Sequence, residues 1–172
     1  MDSNKKFYGI NNNTWGHKWG YSDSGFVVNK DRSVTFTGKR YPICGKRLPN
    51  FIPFVEEVLG IEFKAKPKIE EVNDKHITTG KVNKSFMAEI QKIFNSDRFT
   101  NNNNERILHS HGQHSTDEVY KVLYNRLEKF ADLVFYIETE EETERLIMLA
   151  KKHNICLIPY GGGTNVTNAL RP

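Results

Sequence analysis

A run of three glycines near the end of the chain is the feature best suited to ligand binding. An apolar run is followed directly by Pro159-Tyr160-Gly161-Gly162-Gly163-Thr164-Asn165. Glycine permits positive φ and close approach to the backbone, and successive N–H groups form a concave surface that attracts anions. Thr164 and Asn165 could add side-chain hydrogen bonds. The pattern predicts a loop that can cradle a phosphate group.

Two familiar phosphate-binding loops do not fit this segment. The P-loop of nucleoside triphosphatases needs a lysine before its Ser or Thr, whereas Thr164-Asn165 follows the glycines here. The dinucleotide fingerprint needs a third glycine where this sequence has Val166, and Pro172 lies too close for a long following helix. On spacing alone, a tight surface turn without a ligand stays open as the alternative.

Two other clusters of ionisable side chains have simpler explanations. The spacing of His109, His111 and His114 could suit a metal, but no nearby set of cysteines or carboxylates completes a site. We expect these histidines to cap the following helix or to contact the missing part of the domain. The glutamates between 138 and 144 lie at a predicted helix start, where the helix dipole and water explain them. We assign no metal site and no catalytic residue.

The glycine loop is expected to follow a β-α-β unit spanning residues 133–158. The continuous apolar run 133–137 is typical of a strand covered on both faces, and 155–158 predicts a second, parallel strand. Between them, the Thr139-x-x-Glu142 capping box opens a helix. The buried face of that helix is predicted to contain Leu146, Ile147 and Ala150.

The upstream residues predict short strands and helices. The segments 26–28 and 34–37 predict a β-hairpin, and 51–59 predicts a helix capped by Gly60. A second helix is predicted to bury Phe86, Ile90, Ile93 and Phe94. A third, opened by the Ser115-x-x-Glu118 capping box, is predicted to bury Val119, Val122, Leu123 and Leu127. The asparagine patches at 11–13 and 101–104 are interpreted as solvated loops.

Composition excludes several classes of function. The 172 residues carry a net charge of +4, with Lys and Arg interspersed among Asp and Glu, so we expect no nucleic-acid partner. The sequence contains no run of about 18 apolar residues, so no transmembrane helix is predicted. The polar start is unlike a signal peptide. Cys44 and Cys156 match neither a CxxC pair nor a disulfide framework.

Several segments in a fixed order resemble a known flavoenzyme family. Residues 131–134 and 158–166 resemble the start of the vanillyl-alcohol-oxidase, or PCMH-type, FAD-binding domain. Residues 18–21, 36–41 and 45–51 resemble the N-terminal region of the alkylglycerone-phosphate (alkyldihydroxyacetonephosphate) synthase family, a region that other flavin oxidases of this superfamily generally lack. The family's His-Gly-His segment is one residue longer here, as His111-Gly112-Gln113-His114.

The resemblance implies an α/β fold, α+β overall, with three parts. Residues 1–104 would form a hairpin and helical region, 105–130 a linker helix, and 131–172 the first β-α-β unit of an incomplete FAD-binding domain. In the family the loop equivalent to Pro159–Asn165 binds the FAD pyrophosphate. The acid–base residues of the family lie beyond Pro172, so we expect this chain alone to be inactive and to bind FAD weakly or not at all.

The function implied by the resemblance is a transferase of ether-lipid (plasmalogen) biosynthesis. Such an enzyme uses FAD to exchange the acyl chain of acylglycerone phosphate for a long-chain fatty alcohol. The resemblance also implies a peroxisomal homodimer associated with a membrane surface, although no targeting signal is visible. Two alternatives stay open: a FAD-dependent 2-hydroxy-acid oxidase or dehydrogenase, and a noncatalytic interaction fragment.

Overall fold

The computed structural model describes Tyr21 and residues 23–64, 77–112 and 115–172. The described residues up to 64 form one compact unit, and those from 77 onwards form a second. The asparagine patch at 11–13, most of the segment 18–21, and His114 lie outside the described residues. The three-part domain division therefore stays a prediction, while these two units are what the structure separates.

The first unit contains a three-stranded antiparallel sheet and one helix. Strands β1 (Phe26–Val28) and β2 (Val34–Phe36) form the predicted hairpin, with Phe26 opposite Phe36, and β3 (Arg47–Leu48) pairs with the other edge of β2. Helix α1 (Phe51–Leu59) ends as predicted at Gly60, whose φ of 63° is left-handed. Glycine suits this cap because it has no Cβ to strain.

The core of the second unit lies between helices α2 (Lys84–Ile93) and α5 (Glu140–Lys152). Its buried cluster consists of Phe86, Ile90, Phe94, Leu146 and Leu149. Most of the predicted positions are confirmed, but two isoleucines are not: Ile93 is 44% exposed and Ile147 is 52% exposed. Leu149, three positions after Leu146 on the same face of α5, is buried against α2 in place of Ile147.

Two shorter helices lie between the core helices α2 and α5 along the chain. Helix α3 (Asn103–Leu108) begins inside the asparagine patch that was predicted to be a loop, because the Asn102 side chain accepts the N–H of Asn104 at 2.9 Å as a helix cap. Helix α4 (Thr116–Leu123) starts at the predicted cap, with Ser115 Oγ accepting the N–H of Glu118.

The predicted apolar face of α4 is only partly buried. Val122 is buried, whereas Val119 and Leu123 are half-buried. Leu127 lies beyond the helix end, and it packs against the second buried cluster of Ile77, Ile107 and Phe130. The helix is short, and Val122 is the single apolar side chain among its eight residues that is buried; the other buried residue is Glu118.

The mixed helix-and-strand class is confirmed, but the predicted parallel pair of strands is wrong in detail. Strand β5 (Val134–Phe135) covers two residues and pairs antiparallel with β4 (Phe99–Thr100). Residues 155–158 form no ladder within the described part of the chain, and Leu157 is 41% exposed. A strand needs a neighbouring strand that takes up its backbone hydrogen bonds. Strand β4 pairs with β5 at two positions, and residues 155–158 have no such neighbour among the described residues.

Two further findings concern the cysteines and the character of the helices. Cys44 and Cys156 are both free thiols. Among the described residues, none of the helices has the length and apolar character needed to cross a bilayer.

The two isoleucines of α2 provide a matched test of where the core lies. We expect Ile90→Ala, at a side chain with 0% exposure, to lower the free energy of unfolding by about 2–5 kcal/mol, because it leaves a cavity. Ile93→Ala on the same helix should cost less than about 1 kcal/mol. Urea denaturation of both variants measures the difference, and equal losses would contradict the packing described here.

Candidate functional site

The three glycines of the loop have different surroundings. Gly161 and Gly162 are exposed, and a Cβ added at either would meet nothing within 4 Å. Gly163 is buried with φ +67°, and a Cβ there would lie 2.9 Å from Tyr160 Cζ and closer still to the phenolic oxygen. The first two glycines therefore leave open space above the backbone, whereas the third is required by local packing.

The backbone N–H groups of the glycines are not consumed by the fold. No acceptor in the described part of the chain bonds the N–H of Gly161, Gly162 or Gly163. Because Gly161 and Gly162 are also exposed, their N–H groups are available to an anion. Thr164, which follows, is exposed as well and adds a hydroxyl to the same stretch.

Tyr160 anchors the start of the loop to the end of α3. Its hydroxyl donates to the carbonyl of Leu108 at 3.3 Å, and its ring lies 4.7 Å from the ring of His109. Burial, with a smaller contribution from the charge of Glu118, raises the pKa of the Tyr160 hydroxyl. A protonated phenol suits this position because it must donate to a carbonyl.

Asn165 anchors the other end of the loop. Its side-chain oxygen accepts the N–H of Leu170 at 2.9 Å, its carbonyl accepts the N–H of Asn168 at 3.1 Å, and its Nδ2 donates to Glu118. The residue has φ 50°, a left-handed conformation that asparagine tolerates better than most residues. Its side-chain amide is therefore engaged inside the protein, and Thr164 is the side chain better placed to reach a ligand.

Glu118 of α4 joins this end of the loop to a neighbouring turn. Its carboxylate is buried and accepts hydrogen bonds from the Gly112 N–H at 2.9 Å, from Ser115 Oγ at 3.2 Å and from Asn165 Nδ2. Gly112 packs directly on the loop, since a Cβ there would lie 3.1 Å from the Gly163 carbonyl oxygen and would overlap Asn165. The capping-box spacing identified Glu118 as a helix-start residue but did not reveal this contact.

Two of the three histidines lie in the described part of the chain, and neither of these two caps the following helix, whose N-cap is Ser115. His109 ends the preceding helix α3, with Nδ1 2.7 Å from the Glu105 carbonyl, rather than capping the following one. His111 is buried with Nδ1 2.8 Å from the Gly112 carbonyl, and its Nε2 has no hydrogen-bond partner among the residues that the structure describes. The described ranges contain no group of three His, Cys, Asp or Glu residues that could hold a metal.

Two cations that the sequence did not single out organise the surrounding segments. Arg98 forms a salt bridge with Glu138, and its Nε lies 3.2 Å from a carboxylate oxygen of Glu142. The hydrogen bond from Arg98 lowers the pKa of the Glu138 carboxyl. The acidic helix start therefore has an arginine partner in addition to the dipole and water. Arg106 is buried and donates to the carbonyls of Ala131 and Thr78, both at 2.7 Å.

The glycines allow a direct test of the loop geometry. We expect Gly163→Ala to lower the free energy of unfolding by about 1–3 kcal/mol, because the left-handed backbone and the contact with Tyr160 both oppose a side chain. Gly161→Ala, which faces open space, should change stability by less than about 0.5 kcal/mol. Chemical denaturation compares the two, and a neutral Gly163→Ala would refute the buried placement of Gly163.

Tyr160 should make stability depend on alkaline pH. Its pKa is raised in the folded state, so the unfolded chain loses the phenolic proton first. The corresponding stabilisation is complete below about pH 10 and is lost as the pH rises through the folded-state pKa. In Tyr160→Phe, which lacks this group, the free energy of unfolding should fall less steeply as the pH rises above about 10. Tyr120→Phe, at an exposed tyrosine, is the control, and identical slopes for wild type and Tyr160→Phe would contradict the assignment.

Comparisons with known proteins point to one group of relatives. No protein-family model matches the chain. Alkyldihydroxyacetonephosphate synthase of Caenorhabditis elegans is 37% identical over 152 residues, covering 88% of this chain and 25% of that protein. The synthase of Trypanosoma brucei brucei is 27% identical over 90% of this chain and 26% of its own length. That of Dictyostelium discoideum is 30% identical over 59% of this chain.

Solved structures with the same fold carry the same name. Two structures of alkyldihydroxyacetonephosphate synthase, in P1 and in P212121, superpose with TM-scores of 0.73 and 0.75 at 23% and 24% identity. Each match covers 93% of this chain and 30% or 29% of the solved chain. The chain thus spans about a quarter of the length of the curated relatives first matched. Sequence and fold together confirm the resemblance, and the chain belongs to the alkyldihydroxyacetonephosphate synthase family.

Proposed function

We propose that this chain supplies the first part of the FAD-binding domain of an alkyldihydroxyacetonephosphate synthase, with Pro159–Asn165 holding the FAD pyrophosphate. The supporting observation is the pair of exposed N–H groups at Gly161 and Gly162, which have no acceptor among the described residues. Both ends of the loop are hydrogen-bonded to other segments, through Tyr160 and Asn165. A fixed loop with unused donors is suited to a pyrophosphate.

The residues present fit a diphosphate group chemically. The space that Cβ atoms would fill at Gly161 and Gly162 is open, so phosphate oxygens can approach the backbone closely. The Thr164 hydroxyl adds a donor, and no carboxylate is part of the segment 159–165 itself. In this role the chain binds and orients the cofactor, while the bound flavin supplies the electron-accepting chemistry.

The proposed reaction of the whole protein is the exchange of the acyl chain of acylglycerone phosphate for a long-chain fatty alcohol. The names of the relatives support this transferase function in ether-lipid synthesis. A peroxisomal location, a homodimer and contact with a membrane surface belong to the same proposal. So does the domain division, in which 131–172 begins the FAD-binding domain. We assign no acid–base residue within this chain.

A chimaera tests the cofactor assignment with its own control. Residues 1–172 would replace the matching segment of the Caenorhabditis elegans synthase, and bound flavin would be measured by its visible absorption and by titration. We expect the chimaera to retain FAD, and Gly162→Asp to weaken FAD binding at least about tenfold, because a carboxylate would repel the pyrophosphate. Gly162→Ser, similar in size but uncharged, should retain affinity within about threefold.

Other outcomes would favour the alternatives. A chimaera that folds without flavin would refute the pyrophosphate assignment. Flavin together with oxidation of a 2-hydroxy acid, and no alkyl exchange, would favour the oxidase or dehydrogenase. If the isolated chain stays flavin-free and co-purifies with a longer flavoprotein, the noncatalytic interaction fragment is the better description.

A further inference from the structure

We propose that Glu118 is the positioning residue of the glycine loop, holding it in the conformation that binds the pyrophosphate. This inference rests on the proposed function and deepens it. Glu118 is 2% exposed, although it is a glutamate on the first turn of a surface helix. A buried carboxylate needs several donors to offset its lost hydration. Its hydrogen-bond partners therefore indicate which segments it positions.

The partners come from two stretches of the chain, Gly112 and Ser115 before α4 and Asn165 at the end of the glycine loop. One oxygen of Glu118 accepts both the Gly112 N–H at 2.9 Å and the Asn165 side-chain N–H. The other accepts the Ser115 hydroxyl at 3.2 Å. All three partners are donors, which matches a carboxylate because it can only accept. A single group thus ties the turn before α4, the helix start and the end of the glycine loop together.

The contact with Asn165 acts on the loop where its backbone conformation is least favourable. Asn165 has φ 50°, and the hydrogen bond to Glu118 fixes its side chain while Leu170 and Asn168 bond its other polar atoms. Gly112, held by the same carboxylate oxygen, lies so close to the loop that a Cβ there would be 3.1 Å from the Gly163 carbonyl oxygen. Without Glu118 the loop would have to be ordered when the anion binds, and affinity would fall.

Glu118 has a role separate from the stability of its helix. The cap of α4 uses Ser115 Oγ and the backbone N–H of residue 118, and both are retained when the side chain is changed. A merely structural glutamate would therefore alter the unfolding midpoint but not the loop amides or the affinity of the folded protein. A positioning residue would alter the loop and the affinity at temperatures well below unfolding.

The test uses three variants of the full chain, each also placed in the chimaera. Glu118→Ala removes the acceptors, whereas Glu118→Gln retains an oxygen for the two N–H donors and an amide that can face Ser115. Asp117→Ala removes an exposed carboxylate from the same helix turn as a control. Amide NMR of Gly161, Gly162 and Thr164, with and without added pyrophosphate, reports the loop in the chain, and flavin titration reports affinity in the chimaera.

We expect Glu118→Ala to shift or broaden the loop amide signals and to weaken FAD binding about tenfold. Glu118→Gln should largely restore both, and Asp117→Ala should change neither. If Glu118→Ala does not fold, Asn165→Ala removes the other partner of the same bond and should give the same loop signature. Unchanged amide signals and affinity in whichever variant folds would overturn the inference.

The inference and the proposed function can fail separately. A wild-type chimaera without flavin would refute the pyrophosphate assignment, while the loop amides of the chain would still show whether Glu118 sets the loop conformation. Flavin binding that persists unchanged in Glu118→Ala would leave the proposed function standing and overturn the positioning role.

Discussion

A loop that offers unpaired N–H groups to an anion cannot be held in place by those same groups. This constraint explains the arrangement around Gly161 and Gly162, where the fixing contacts lie at both ends of the loop instead of along it. Tyr160 bonds the end of α3, and Asn165 bonds the buried carboxylate of Glu118. The loop is thereby ordered while its central donors stay available.

Buried polar side chains also hold the segments around the glycine loop in place. Arg106 donates to the carbonyls of Thr78 and Ala131, so one guanidinium joins two stretches that have no common strand or helix. Burial lowers the pKa of this guanidinium, with the charge of Asp132 acting in the opposite direction. Irregular backbone needs such side-chain partners, because no ladder takes up its carbonyls. The helical core of α2 and α5 provides the apolar part of the unit, and the arginine and glutamate position the loops around it.

Much of the local structure was predictable because its causes are local. The hairpin, the Gly60 cap, and the caps at Ser115 and Thr139 depend on neighbouring residues, and all are present. The errors occurred where a choice depended on distant partners. Ile147 and Leu149 are equally apolar, and only the position of α2 decides which is buried. The extended segment at 155–158 has the composition of a strand but no partner within the described residues.

The sequence by itself determined the glycine loop, the helix caps and the family to which the chain belongs, because each depends on residue types at short, fixed spacings. The tertiary structure alone decided which glycine is buried, that Asn165 turns inward, and that Glu118 accepts a hydrogen bond from it. Those features depend on contacts between residues as far apart as Glu118 and Asn165. No local pattern encodes such a pairing, because the two partners are 47 positions apart in the sequence.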